Sequence, residues 1–139
     1  MSHNEGAKKY CTWKGTRSKI KGTFRLPSIA ELQHQINEGE QGRKWRRTEK
    51  WAKKEKLSMC NFSEPSKPLG TGCIAPHNSY IANKFGIHNI KGNMAEMTTT
   101  KGKAVGGSYV DLDSKDWATY VQNYDEPSDW LGFRCVCEL

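Results

Sequence analysis

Apolar residues at helical spacing predict one amphipathic helix in the first third of the chain. Ser28 with Glu31 three residues later has the pattern of a capping box, so the helix is predicted to begin at Ile29. Gly39 is a plausible C-terminal stop. The apolar positions that follow at i, i+3 and i+7 are Ile29, Leu32 and Ile36.

Shorter segments follow this helix, and their patterns favour turns and strands. Residues 43–57 predict a second, basic helix, and the Pro, Gly, Ser and Asn of 60–79 predict an irregular loop. Residues 94–100, 103–110 and 131–137 predict short strands, the second with a bulge at its double glycine. The expected fold class is α+β, with a helix first and short antiparallel strands later.

Composition sets the size and the class of the protein. At 139 residues the chain is expected to form a single domain, 1–139, with a modest core, because only 35% of its residues are hydrophobic. No run of about 18 apolar residues exists, so no membrane span is expected. The first residues contain no apolar segment, and so this sequence shows no signal peptide.

Positive charge is concentrated in one half of the chain. The formal net charge is +7, and residues 43–56 alone carry eight bases and two acids. Such a segment could lie on phosphates, with Trp45 and Trp51 stacking on bases. The alternative is a solvated connecting segment whose two Trp rings anchor it to the core.

Five cysteines cannot all pair within one chain. They are Cys11, Cys60, Cys73, Cys135 and Cys137. No Cys-x-x-Cys pair is present, so a structural zinc site is not expected. Cys135 and Cys137 would share one face of a strand, and the plain alternative is buried free thiols.

Five short motifs occur in a fixed order over residues 7–139. They are Tyr-Cys-Thr-Trp at 10–13, Phe-Arg-Leu-Pro-Ser-Ile-Ala-Glu-Leu at 24–32, the Asn-Lys-Phe-Gly to Gly-Asn-Met-Ala-Glu-Met run at 83–97, Gly-Gly-Ser-Tyr at 106–109 and Leu-Gly-Phe-Arg-Cys at 131–135. In this order they resemble the formylglycine-generating enzyme family, also called the sulfatase-modifying-factor domain. The resemblance implies a C-type-lectin-like fold with short antiparallel strands, few helices and much irregular loop.

The family's chemistry has no visible counterpart in this sequence. Its enzymes oxidise a substrate cysteine with copper held by two thiolates shortly after Gly-Gly-Ser, but residues 110–117 contain no cysteine. This difference favours a non-catalytic protein in which no copper is expected, and a divergent copper-dependent oxidoreductase is the alternative. Only nine residues precede Tyr10, so a shortened domain or a fragment is expected, whose missing opening strands another chain could supply.

The resemblance also implies a calcium site. The matching positions are Asn89, Gly92, Met94 (through its carbonyl) and Glu96. Calcium takes six to eight oxygen ligands, so a carboxylate with main-chain carbonyls in a tight turn is suitable chemistry. Alternatively, Glu96 is a buried carboxylate that ties the turn to neighbouring backbone amides.

The leading functional hypothesis is a non-catalytic binding or structural module whose binding surface lies in residues 109–130. Some bacterial and phage relatives diversify this region, so a protein or surface ligand is the expected partner. The predicted ligand-binding residues are Tyr109, Asp111, Asp113, Trp117, Tyr120, Asn123 and Tyr124. The rings could instead pack the core, and nucleic-acid binding through 43–56 is a third hypothesis.

Finally, the resemblance implies a disulfide. The cysteines of the first and last motifs pair in the family, and they correspond to Cys11 and Cys135. A stable disulfide implies an oxidising compartment, so export to the periplasm or the cell surface is expected.

Overall fold

Helices dominate the first part of the chain and short strands the second. The computed structural model describes residues 2–63, 73–113 and 115–139. Its elements are α1 (His3–Arg17), β1 (Thr23–Arg25), α2 (Ile29–Gly39), α3 (Arg43–Glu55), β2 (Ala95–Met97), β3 (Lys103–Val105), β4 (Val121–Asn123), β5 (Leu131–Gly132) and β6 (Val136–Glu138). The α+β class with short strands is confirmed.

The first helix, α1, was not predicted. It begins with a capping box in which the Ser2 side chain accepts from the Glu5 amide and the Glu5 side chain accepts from the Ser2 amide. Its buried residues are Asn4, Ala7 and Cys11. Because one of these is polar and one is small, the buried side of α1 carries no apolar periodicity. Asn4 is satisfied in the core, since its Nδ2 donates to the Thr98 carbonyl at 2.8 Å.

Both predicted helices are present. α2 begins at Ile29 with the expected Ser28–Glu31 capping box, and it buries Leu32 and Ile36. α3 spans Arg43–Glu55, two residues shorter than the predicted segment. Lys56 ends α3 in the left-handed conformation, with φ at 57°, and its amide bonds back to the last turn.

The strands form two small sheets. One has the order β4-β3-β2-β5, and the other pairs β1 with β6. The expectation of antiparallel strands is wrong for one pair, because β2 and β5 run parallel. The predicted strand 131–137 is two strands, β5 and β6, and each joins a different sheet.

The double glycine ends a strand instead of bulging it. β3 stops at Val105, and Gly106 and Gly107 follow with φ of 106° and 72°. A Cβ at Gly107 would lie 2.9 Å from the Trp117 ring, so this position needs glycine for space as well as for conformation. The turn therefore allows the chain to pass closely over the aromatic core.

The core consists of three clusters, two of which attach a helix to strands. α1 packs with Leu26, Ala95 and Leu131 in the first, and α2 packs with Ile90 and Val105 in the second. The third surrounds Trp45 of α3 and contains Cys60, Phe62 and Trp117. No helix among the described residues is long and apolar enough to cross a membrane.

The predicted disulfide is confirmed. Cys11 of α1 bonds to Cys135, just before β6, with the Cα atoms 5.6 Å apart. The bond joins residues 124 positions apart, so it ties the first helix to the last strand. Cys60 and Cys137 keep their thiols, the first buried and the second half-buried.

Candidate functional site

The Gly-Asn turn is a sharp backbone bend fixed by side-chain hydrogen bonds. Asn89, Gly92 and Asn93 all have positive φ, at 55°, 78° and 66°. The Asn93 Oδ1 accepts from the Ala75 amide at 2.8 Å and from Asn61 Nδ2 at 3.0 Å. Asn93 therefore holds three separate stretches of chain together, a structural role that the motif alone does not reveal.

Glu96 and Arg134 form a mostly buried ion pair beside this turn. Glu96 lies on β2 and is 6% exposed, and its Oε1 is 2.5 Å from Arg134 Nε. The Arg134 Nη2 also donates to the His88 carbonyl at 3.1 Å. Burial raises the pKa of Glu96 to about 6, although the guanidinium opposes that shift. Arg134, from the last motif, therefore binds the same carboxylate that is expected to bind calcium.

Two oxygens of the expected calcium set remain without a partner. Glu96 Oε2 and Asn89 Oδ1 are buried and accept no hydrogen bond from the described residues. Such oxygens suit a hard cation, so the chemistry of the donors fits calcium, with the carbonyls of Gly92 and Met94 completing the expected set. Within the described ranges no group of three or more His, Cys, Asp or Glu could hold a metal, and Glu96 is the one carboxylate of the expected set. Calcium binding stays a prediction.

The aromatic residues expected in the binding surface divide between core and surface. Trp117 is 2% exposed and stacks on Phe62, with ring centroids 5.6 Å apart. Tyr124 is half-buried, and its hydroxyl accepts from Asn4 Nδ2 at 3.3 Å. The structure therefore places these two rings in the core, as the alternative hypothesis expected. Tyr120 is exposed and packs edge-on against Trp117.

The polar residues of the same segment divide in a similar way. Asp111 Oδ2 accepts from the Ser108 amide, the Ser108 hydroxyl and Gln122 Nε2, all within 3.0 Å. Asp111 therefore pins the loop to the end of the Gly-Gly-Ser motif. Asp113 and Asn123 are exposed, and Asn123 Oδ1 accepts from Lys103 Nζ.

Tyr109 is half-buried and interacts with Asp129. Burial and the hydrogen bond with Asp129 raise the pKa of its phenol. The accessible part of the predicted surface is thus Tyr109, Asp113 and Tyr120, on a loop fixed by Asp111 and Trp117, together with Asn123 at the end of β4.

The described thiols differ in their chemistry. Burial raises the pKa of Cys60 to about 12, and so this thiol stays protonated at neutral pH. Cys11 and Cys135 are consumed by their disulfide. Since the thiolate is the nucleophile and the metal ligand, these three residues offer no reactive sulfur at neutral pH.

The basic segment has one buried and one exposed Trp, which neither sequence hypothesis expected. Trp45 is 6% exposed and packs in the third cluster, whereas Trp51 is 55% exposed. Grooves flank α3 on both sides, and sequence reasoning missed them because their walls come from distant loops. One, of about 400 Å³, is lined by Trp45, Lys53, Cys60, Lys91 and Asp113 among others. The other, of about 370 Å³, is lined by Trp51, Leu57, Met59, Tyr80 and Ile81 among others.

Comparisons with known proteins agree on one fold. The family model described as "Sulfatase-modifying factor enzyme 1-like domain" matches residues 3–139. PvdO from Pseudomonas aeruginosa is similar in structure, with a TM-score of 0.69 and 17% identity over 98% of this chain. CarF is similar with a TM-score of 0.58 and 24% identity over 85% of this chain. The chain spans 60% of PvdO and 49% of CarF, and no curated protein matches it.

Proposed function

Because the chain belongs to the family of the Sulfatase-modifying factor enzyme 1-like domain, we propose that it uses that scaffold as a non-catalytic binding module. The supporting observation is the segment after Gly106-Gly107-Ser108. Its backbone is pinned by Asp111 and Trp117, and its exposed side chains contain no thiol. A rigid scaffold that presents an exposed loop is the usual arrangement of a binding site.

The fixed loop lowers the cost of binding. Asp111 bonds to Ser108 and Gln122, and Trp117 stacks on Phe62 and contacts Tyr120 edge-on. Side chains carried on such a loop lose less conformational freedom when a partner binds. The exposed ring of Tyr120 supplies apolar contact area, and Asn123 supplies hydrogen bonds.

Charge indicates the chemistry of the partner. Residues 109–130 contain six acidic residues and one lysine. A protein surface rich in Lys or Arg would complement this segment, speed association and disfavour acidic partners. We therefore propose a basic protein surface as the ligand.

Selection from a displayed peptide library tests the binding role. The wild type should enrich basic peptides, and Tyr120→Ala with Asn123→Ala should lose them. Phe85→Ala is the matched control, because Phe85 is an exposed ring outside the segment. Enrichment that survives the double substitution, or that Phe85→Ala abolishes equally, would contradict the placement of the surface.

A redox assay tests the non-catalytic part of the proposal. The protein is loaded with copper and incubated in air with a cysteine-containing peptide and a thiol reductant, which supplies the two further electrons that reduction of O2 to water requires. The peptide is then analysed by mass spectrometry. We expect no conversion of cysteine to formylglycine. Aldehyde formation by the wild type would instead establish the divergent oxidoreductase.

Two further roles belong to the same proposal. We expect calcium to bind weakly through Asn89, Gly92, Met94 and Glu96 and to stiffen the turn, which supplies oxygen ligands but only one carboxylate. We also place the protein in an oxidising compartment outside the cytosol, because the Cys11–Cys135 disulfide would persist there.

A further inference from the structure

The outward face of α3 is a continuous line of bases. Arg43, Arg47, Lys50 and Lys54 follow one another at i, i+4, i+7 and i+11, a spacing that places them on one side of a helix. All four are exposed, and we call them the basic stripe. At a rise of about 1.5 Å per residue the basic stripe is about 16 Å long.

The protein itself does not neutralise the basic stripe. No residue of the stripe forms a salt bridge with the parts of the chain that the structure describes. The acids of α3 lie elsewhere on the helix, since Glu49 follows the buried Trp45 by four residues and Glu55 follows the buried Ala52 by three.

Most of the basic stripe opposes the stability of its own helix. Arg43 lies in the first turn, at the positive end of the helix dipole, and this turn has no acidic residue and no side-chain cap. Arg43 and Arg47, and also Lys50 and Lys54, are like-charge pairs at i, i+4. Lys54, in the last turn, is the one residue of the stripe that is placed favourably toward the helix dipole. The rest of the arrangement does not serve folding, and an external anion would relieve the repulsion.

An exposed aromatic ring and a groove adjoin the basic stripe. Trp51 follows Arg47 by four residues and Lys50 by one, and it lines the groove of about 370 Å³ together with Leu57, Met59, Tyr80 and Ile81 among others. Nucleobases stack on exposed aromatic rings whatever the sequence. Cations beside such a ring are the usual combination on proteins that bind single strands.

We propose that α3 binds single-stranded nucleic acid, with the phosphate backbone along the basic stripe and a base stacked on Trp51 at the groove. A membrane surface fits less well, because the apolar side of α3, with Trp45 and Ala52, is buried in the protein and cannot insert into lipid. An acidic protein would satisfy the charges but would leave the Trp51 ring without a specific role.

Fluorescence anisotropy with a labelled, mixed-sequence single strand of about 15 nucleotides tests the electrostatic part. Affinity should fall between about 50 mM and about 200 mM salt, with a slope of about −0.7 per neutralised phosphate. Arg47→Gln, Lys50→Gln and Lys54→Gln together should reduce that slope by about 2. The control removes three exposed bases of α1, through Lys8→Gln, Lys9→Gln and Lys14→Gln. Equal losses in the two triple variants would overturn the proposal, because binding would then follow net charge alone.

Tryptophan variants test the stacking part. Trp51→Ala should weaken binding about ten-fold, Trp51→Phe should restore much of it, and Trp13→Ala should have little effect. Trp13 is the matched control, since it is 53% exposed and lies on α1. The overturning results are equal affinity for the duplex of the same sequence, or binding to anionic phosphatidylserine vesicles without binding to the oligonucleotide. Circular dichroism melts confirm that each variant is folded.

Discussion

Replacing Arg43 with Glu should stabilise the protein, although it removes a residue that we assign to the basic stripe. Arg43 is the first residue of α3, where the helix has no acidic side chain and where Gly42 offers no side-chain cap. Glu has a helix propensity close to that of Arg, so the change acts mainly through charge. Arg43 is also exposed, so no packing is lost.

The expected gain follows from two electrostatic terms. A negative charge at a helix N-terminus contributes about 0.3–1 kcal/mol. The i, i+4 pair with Arg47 changes from repulsive to attractive, and each of these interactions is worth about 0.2–0.5 kcal/mol. The free energy of unfolding should therefore rise by about 1 kcal/mol, which for a chain of this size raises Tm by about 3–5 °C.

Lys53→Glu is the control, because it makes the same charge change at the other end of α3. Lys53 lies in the last turn and follows Glu49 by four residues, so the substitution opposes the dipole and replaces a favourable pair with a repulsive one. It should lower the free energy of unfolding by about 1 kcal/mol.

Urea unfolding at low salt, followed by circular dichroism, measures both variants. Screening at high salt should reduce both effects. If Arg43→Glu leaves stability unchanged or lowers it, or if both variants shift in the same direction, the electrostatic account of α3 is wrong. A shift of both variants in the same direction would mean that net charge, and not the position of the charge along the helix, controls the free energy of unfolding.

Three other outcomes are expected. Cys11→Ser with Cys135→Ser removes a bond between residues 124 positions apart, so the free energy of unfolding should fall by about 4–5 kcal/mol in denaturant titrations. The control, Cys137→Ser, should leave the free energy of unfolding unchanged. Folding raises the pKa of Glu96 from 4.5 to about 6, so the free energy of unfolding should fall by about 2 kcal/mol as pH rises from 4.5 through about 6. Glu96→Gln should flatten this pH dependence. Calcium should raise Tm relative to chelator in the wild type but not in Glu96→Gln, and identical melting curves of the wild type would refute the calcium site.

Local sequence signals predicted α2 and α3 because their causes lie within a few residues. The Ser28–Glu31 capping box is a contact between positions three apart, and it forms in the structure as expected. The confirmed Cys11–Cys135 pairing came from the family motifs. Composition and spacing alone left the pairing of the five cysteines open.

Patterns of neighbouring residues did not predict the contacts between distant parts of the chain. The apolar pattern missed α1 because its buried side is Asn4, Ala7 and Cys11, although the Ser2–Glu5 capping box is a local signal of its start. Asn4 is satisfied there because the Thr98 carbonyl accepts its hydrogen bond. β2 pairs with β5 in parallel, with Ala95 opposite Leu131. No tight turn connects these two strands, so the sequence contains no hairpin signal that would predict their pairing. Such contacts depend on surfaces that exist only once the chain is folded.

The sequence by itself determined the family, the amphipathic helix α2, the basic helix α3 and the concentration of positive charge, because these are properties of residue type and short spacing. Tertiary structure decided what each aromatic residue does. Trp45, Trp51 and Trp117 have the same side chain, yet Trp45 and Trp117 lie in the core and Trp51 is exposed. Burial is set by neighbours far away in the chain, such as Phe62 against Trp117, and no local pattern contains that information.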